Sequence, residues 1–378
     1  MRYFKRLMVC LLTVTTFYAC QQDTYLIESE EDGVTTPEET DVVGFYLLNE
    51  GNMGSNMATI DYMDFKTGTY NRNIYATVNP TMVKELGDVG NDIKIYGNKL
   101  YAVINVSNFI EVMDAKTAKH LGTIPLENGR YITFANGKAY ATSYAGPVTI
   151  DPKAPLGKVV EIDTINLSVT RQVTVGYQPD ELEVVGNNLY VANSGGYRAP
   201  DYDKTISVID LSTFKETKKI DVEVNLHRIK KDSEGDLYVT SRGNYRDISS
   251  NLFVIDSKTH QIKKKFDIPV SNFTIDDDKL YFFSNEFSYT TFEYTKSYGV
   301  IDTKTEQVIN KTLVNDPVIK NIETPYGIAV NPKTKDIFIT DVGNYISMGY
   351  VYCFDKNGVF KWKTAGGNIP AHFAFVYK

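Results

Sequence analysis

Short apolar runs recur along the chain, bounded by glycine, asparagine or charged residues, with no helical 3.6-residue period between them. Five segments share one plan, an apolar strand, a tight turn and a second strand opening on Leu-Tyr or Ala-Tyr. They turn at Gly97-Asn-Lys-Leu-Tyr-Ala-Val, Gly137-Lys-Ala-Tyr-Ala-Thr, Gly186-Asn-Asn-Leu-Tyr-Val-Ala, Gly235-Asp-Leu-Tyr-Val-Thr and Asp277-Asp-Lys-Leu-Tyr-Phe-Phe. Glycine, asparagine or aspartate supplies the positive φ that such hairpin turns require.

A second element keeps the same beat. Apolar strands such as Ile206-Ser-Val-Ile-Asp210 and Leu252-Phe-Val-Ile-Asp256 end on an aspartate followed by Lys-Thr, Ser-Thr or Asn-Gly. The aspartates are Asp64, Asp114, Asp163, Asp210, Asp256, Asp302 and Asp355, spaced 50, 49, 47, 46, 46 and 53 residues apart. Each carboxylate is placed to accept hydrogen bonds from backbone N–H groups just downstream and so close a turn into a charged strand. Periods of this length belong to repeats that cannot bury their apolar faces alone. Four antiparallel strands repeated seven times predict an all-β, seven-bladed β-propeller.

The ends of the array predict how it closes. The first copy, from Gly44-Phe-Tyr-Leu-Leu-Asn-Glu50, begins at its second strand. The last segment, Ile369-Pro-Ala-His-Phe-Ala-Phe-Val-Tyr377, has the pattern of a first strand. The C-terminal strand is therefore expected to complete the first blade and leave no open edge. Residues 42–378 are read as the propeller.

Residues 1–19 read as a signal peptide: Arg2, Lys5 and Arg6 precede the apolar run 7–17, which is too short to span a bilayer. The run ends at Phe17-Tyr-Ala-Cys20, which resembles a bacterial lipobox except for its bulky Phe17 and Tyr18. Lipidation is expected at Cys20. Residues 20–41, with Glu28-Ser-Glu-Glu-Asp32, Glu38 and Glu39, read as a disordered acidic tether. Removing 1–19 takes away three basic residues and no acidic ones, so the formal charge moves from −7 to −10. That balance argues against nucleic acid and against charge-driven binding to anionic membranes. Of the three cysteines only Cys353 then remains free, in a strand, and it reads as a small core residue rather than part of a disulfide framework.

Markers of hydrolytic chemistry are missing: there is no H-E-x-x-H, no cysteine pair and no G-x-S-x-G. The single Trp362 weighs against a tryptophan-docked quinone site. The chain is read as a non-enzyme, with no metal and no cofactor assigned. Ligand contact is expected on the face carrying the long, variable loops, because function sits on such loops above a rigid scaffold. Many of the 27 tyrosines fall there. Tyrosine offers a flat ring and a hydroxyl, and arginine can pair with an anion or stack on a planar group. The candidate contacts are Tyr144, Tyr197, Arg198, Tyr202, Arg242, Tyr245, Arg246, Tyr289 and Tyr345, with Arg130, His227 and Arg228 at the channel mouth. Alignment of the first strands brings Asn91-Asp92, Arg130-Tyr131, Asp180-Glu181, His227-Arg228, Ser271-Asn272, Tyr326-Gly327 and Ala371-His372 to equivalent places around that mouth.

The Leu-Tyr-Val strands and V-I-D-x-x-T turns resemble the YVTN-type seven-bladed propellers. The opening Leu48-Asn-Glu-Gly-Asn-Met-Gly-Ser-Asn-Met-Ala-Thr-Ile-Asp61, the segment Leu86-Gly-Asp-Val-Gly-Asn-Asp92 and the close Gly367-Asn-Ile-Pro-Ala-His-Phe373 are similar to the Bacteroidetes lipoprotein branch of that group. The acidic segment after Cys20 resembles the surface-export signal of such lipoproteins. The resemblance implies a lipid-anchored protein on the outer membrane, facing the exterior, that captures cobalamin or another corrinoid for a TonB-dependent transporter. Capture of a siderophore, haem or glycan, and a protein-interaction propeller with no small ligand, stay open beside it. The resemblance assigns no site residue.

Overall fold

The recurrent aspartates fold their own turns. Asp114 Oδ1 accepts from the N–H groups of Lys116 and Thr117 at 3.1 and 3.0 Å and from the Thr117 hydroxyl at 2.8 Å. Asp64, Asp163, Asp210, Asp256, Asp302 and Asp355 each accept from backbone N–H groups two to four residues downstream in the same way. At Asp163 the ammonium of Lys138 joins two such N–H donors and holds the carboxyl at about 2. The hairpins are equally local. Gly97, Gly137, Gly186 and Gly235 take positive φ at their turns, and Asp277 and Asp278 do so in the fifth.

The computed structural model describes residues 29–82, 86–288 and 292–378. They form seven antiparallel sheets, six of four strands and one of five. The strands nearest the axis are, in blade order, Pro370–Tyr377, Gly90–Tyr96, Gly129–Ala135, Pro179–Val185, Leu226–Lys231, Asn272–Asp276 and Pro325–Val330. Blade 1 is closed as expected: Pro370–Tyr377 pairs with Val42–Asn49 from Val42 opposite Tyr377 to Asn49 opposite Pro370.

The core lies between neighbouring blades, not within any one of them. At the closing interface Phe45 of blade 1 packs against Phe338 of blade 7, ring centres 5.0 Å apart, and against Phe373 of the closing strand at 5.2 Å. Cys353 is buried in this cluster, as read from the sequence. Gly327 of blade 7 admits no side chain, because a Cβ there would stand 2.3 Å from the carbonyl oxygen of Ala371. The connection between blades 1 and 2 holds a five-residue helix, Ile74–Val78, too short to show a period in sequence. Its Tyr75 hydroxyl donates to Glu111 at 3.1 Å, and Glu111 also meets His120 Nδ1 at 2.5 Å.

The acidic segment departs from the expected tether. Glu31–Gly33 forms a fifth strand on the outer edge of blade 1, paired with Thr69–Asn71. Arg72 forms an ion pair with Glu30, and Thr364 of blade 7 donates to Asp32 at 3.3 Å. An unpaired outer edge recruits whatever extended backbone lies near it, and these contacts offset the poor burial of so polar a strand. Residues 1–28, with the expected signal peptide and Cys20, lie outside the described residues.

Phe338→Ala should lower stability by about 3–5 kcal/mol, because it empties the closing interface; the shift in denaturant midpoint measures it. Removing residues 369–378 should cost far more and leave insoluble or easily melted protein. A truncated chain that melts like the full-length one would show that the last strand does not hold the ring.

Candidate functional site

On the long-loop face the channel widens into a cavity of about 730 Å³, within the range that takes small-molecule ligands. Its wall carries Arg130, His227, Arg228, Arg242, Arg246, Tyr197, Tyr245 and Tyr345 from the sequence-predicted set. Tyr144 and Arg198 are placed elsewhere, for identifiable reasons. Tyr144 is buried beneath Arg130, its ring 4.8 Å from the guanidinium, and its hydroxyl donates to Asp180 at 2.9 Å. Arg198 turns away from the channel: it stacks on Tyr177 at 3.6 Å and donates to the carbonyls of Asp201 and Pro152, tying two loops together. Tyr202 sits behind Tyr245, ring centres 6.4 Å apart. Tyr289 lies outside the described residues.

The sequence list omitted several wall residues, chiefly Glu50, Tyr131, Tyr294 and Tyr326. Tyr131 and Tyr326 stand in the aligned mouth positions, so the alignment carried the signal. Glu50 had none, because it is brought in by ring closure. It accepts from the Tyr326 hydroxyl at 2.9 Å and meets His372 Nε2 at 2.9 Å.

The charges of the wall are ordered. Asp180, fully buried, receives Arg242 Nη1 at 3.1 Å and Arg130 Nε at 3.4 Å, so one carboxylate serves two guanidiniums. Glu181 takes Lys230 Nζ at 2.6 Å and the N–H of Ile229 at 3.0 Å. Burial would raise its pKa, but Lys230, Arg228 and Lys94 together hold it at about 2. Its support for the fold is therefore complete above the ordinary glutamate range and is lost as pH falls toward 2. Asp92 meets Lys94 at 3.5 Å, so the cation beside each of these two carboxylates is a lysine of the protein.

Tyr131 is the hub of the aromatic part. Its hydroxyl lies 3.1 Å from His227 Nε2, its ring stands edge-on to His372 at 6.3 Å, and Arg228 lies over it at 5.1 Å. Burial pushes His227 well below the ordinary histidine range, and the positive charges of Arg242, Arg228 and Arg130 push it further. The ring is thus neutral at physiological pH. On the rim, Tyr326 and Tyr345 meet edge to face at 6.0 Å, and Phe287 and Tyr294 lie 5.1 Å apart.

The model of a family described as a domain of unknown function, DUF5074, matches residues 43–375. No curated protein matches the chain. Among solved structures it is similar to a quinoprotein alcohol dehydrogenase-like protein from Bacteroides thetaiotaomicron. The identity is 13%, with 89% of this chain and 79% of that one covered and a TM-score of 0.58. The hydrazine synthase of Kuenenia stuttgartiensis matches at 17% identity over 71% of this chain and 76% of that one, with a TM-score of 0.56. A dihydro-heme d1 dehydrogenase matches at 11% identity over 90% and 76%, with a TM-score of 0.53. At these identities the likeness is one of fold.

His227 should stay neutral as pH falls through the ordinary histidine range, and Arg228→Met should raise its pKa by removing a neighbouring positive charge. Histidine ring NMR signals followed through the titration would report both. A wild-type His227 that titrates near 6.5 would contradict the electrostatic picture.

Proposed function

We propose that this chain, a member of the DUF5074 family, is a capture protein that holds a small ligand in its channel mouth without transforming it. The observation that carries the reading is the cavity itself, of about 730 Å³, whose floor is charged and whose rim is aromatic. Such a wall suits a ligand with flat apolar surface and polar substituents. The acids around it are already engaged with protein donors: Glu50 with Tyr326 and His372, Asp180 with Tyr144 and two arginines, Glu286 with Ser250. That favours binding over proton-transfer chemistry.

Signal peptide, acylated Cys20 and acidic segment belong to the same proposal: the propeller is displayed on the outer membrane and passes its ligand to a TonB-dependent transporter. Exposed Phe292, Tyr294, Ile346 and Met348 around the cavity give a partner apolar area to cover. Cobalamin or another corrinoid is the first ligand to test, on the resemblance of the strand and turn segments, with haem, siderophores and glycans as alternatives.

Calorimetry of the propeller against cobalamin, haem, ferric siderophores and a glycan panel should find one tight binder. Tyr197→Ala and Tyr245→Ala should each weaken it, by about thirtyfold for a central contact, with no change in melting temperature. Cys20→Ala should release the folded protein from membranes. Failure of every small ligand, with a protein partner binding the same face, would replace capture by interaction.

A further inference from the structure

Among the described residues, the channel floor holds one buried cation without an ion-pair partner. Arg228 is only 6% exposed, yet among the described residues its guanidinium has no carboxylate within ion-pair distance, and its Nε, shut off from solvent, donates to nothing. Glu181 acts on it only at longer range, without an ion pair. Glu181 is spent on Lys230 at 2.6 Å, and Asp180 on Arg130 and Arg242. Burying a charge without a partner is costly, and a site that retains one has a use for it.

We propose that Arg228, with Arg130 and Arg242 beside it, is the seat for an oxyanion, a carboxylate or phosphoryl group, carried by the ligand of this cavity. The inference rests on the reading of the cavity as a binding site and adds the chemical class of what enters it. Three further observations support it. The cavity wall holds four arginines, Arg130, Arg228, Arg242 and Arg246, against two acids, Glu50 and Glu286. The whole chain carries a formal charge of −7, so the sign is reversed locally. Tyr131 lies under the Arg228 guanidinium at 5.1 Å, a cation–π contact that helps hold the side chain in place before any ligand arrives. A preset planar fork of N–H donors matches the paired oxygens of a carboxylate or phosphate. His227, kept neutral by burial and by these same arginines, adds no charge of its own to the seat.

The probes are phenyl phosphate, benzoate and the neutral isostere benzamide, titrated into the full propeller at constant ionic strength. The readout is the Arg228 Nε–H signal in arginine-labelled protein, assigned by its loss in Arg228→Lys. We expect a saturable shift with phenyl phosphate or benzoate, and binding of benzamide at least tenfold weaker. The better of the two anions then says whether the seat prefers a phosphoryl or a carboxylate group. Arg228→Lys should weaken the preferred anion, whereas Arg198→Met, away from the cavity, should not. Equal response to all three probes, or an effect reproduced by chloride at the same ionic strength, would overturn the proposal. The two readings fail separately. An uncharged ligand that binds tightly and ignores Arg228→Lys keeps capture and removes the anion seat. Anion binding with no physiological small ligand keeps the seat and removes capture.

Discussion

The innermost strands must carry polar groups at the axis and still leave no backbone group unpaired between blades. The chain meets this constraint with a collar of side chains, each reaching from one blade to the main chain of the next. Asp92 accepts from the N–H of Ile132 at 3.0 Å, and Glu181 from that of Ile229 at 3.0 Å. Asn91 and Asn272 donate to the carbonyls of Arg130 and Tyr326, each at 2.9 Å. Thr142 and Thr340 donate to the carbonyls of Asp180 and Pro370 at 2.9 and 2.6 Å, while accepting from their own blades. Buried hydrogen bonds of this kind add little net stability but are costly to break, so they fix one angular setting between blades. The apolar interfaces hold the ring together; the collar decides where each inner strand sits.

That setting makes the cavity. Arg130, Tyr131, His227 and Arg228 start from different blades and meet because the collar brings their inner strands to a common level. Once there, shared partners hold them rigid: Asp180 for two arginines, Tyr131 for a histidine and a third. A binding wall set before the ligand arrives loses little freedom on binding. The loop tyrosines differ in kind, since Tyr245 and Tyr345 are half exposed and can follow the shape of what lands on them.

The fold was legible because its determinants are local. An aspartate capping its own turn and a glycine taking positive φ leave marks within four residues, and seven copies make those marks unmistakable. The five-residue helix at Ile74–Val78 and the edge strand Glu31–Gly33 left none, being shorter than a period and dictated by what lies beside them. The site was legible by position more than by direction. Strand alignment placed Arg130 and Arg228 at the mouth, but nothing local says that Tyr144 lies beneath Arg130 or that Arg198 turns outward. Those directions follow from Asp180 and from the loop carbonyl of Pro152, which belong to other parts of the chain, with the nearby carbonyl of Asp201 as a second acceptor for Arg198. Glu50 joins His372 across more than three hundred residues, and no window of sequence contains both.

The pairing of Val42–Asn49 with Pro370–Tyr377 has a kinetic side. The first blade is left incomplete until the final residues emerge, so its second strand waits as an unpaired edge while the other six blades assemble. Closing so long a loop is slow, because its entropy is lost before any contact repays it. An open ring with two free edges is the species most exposed to mispairing between chains. Blade 1 can therefore be completed only after the other six have been synthesised, with the hazard concentrated in that interval.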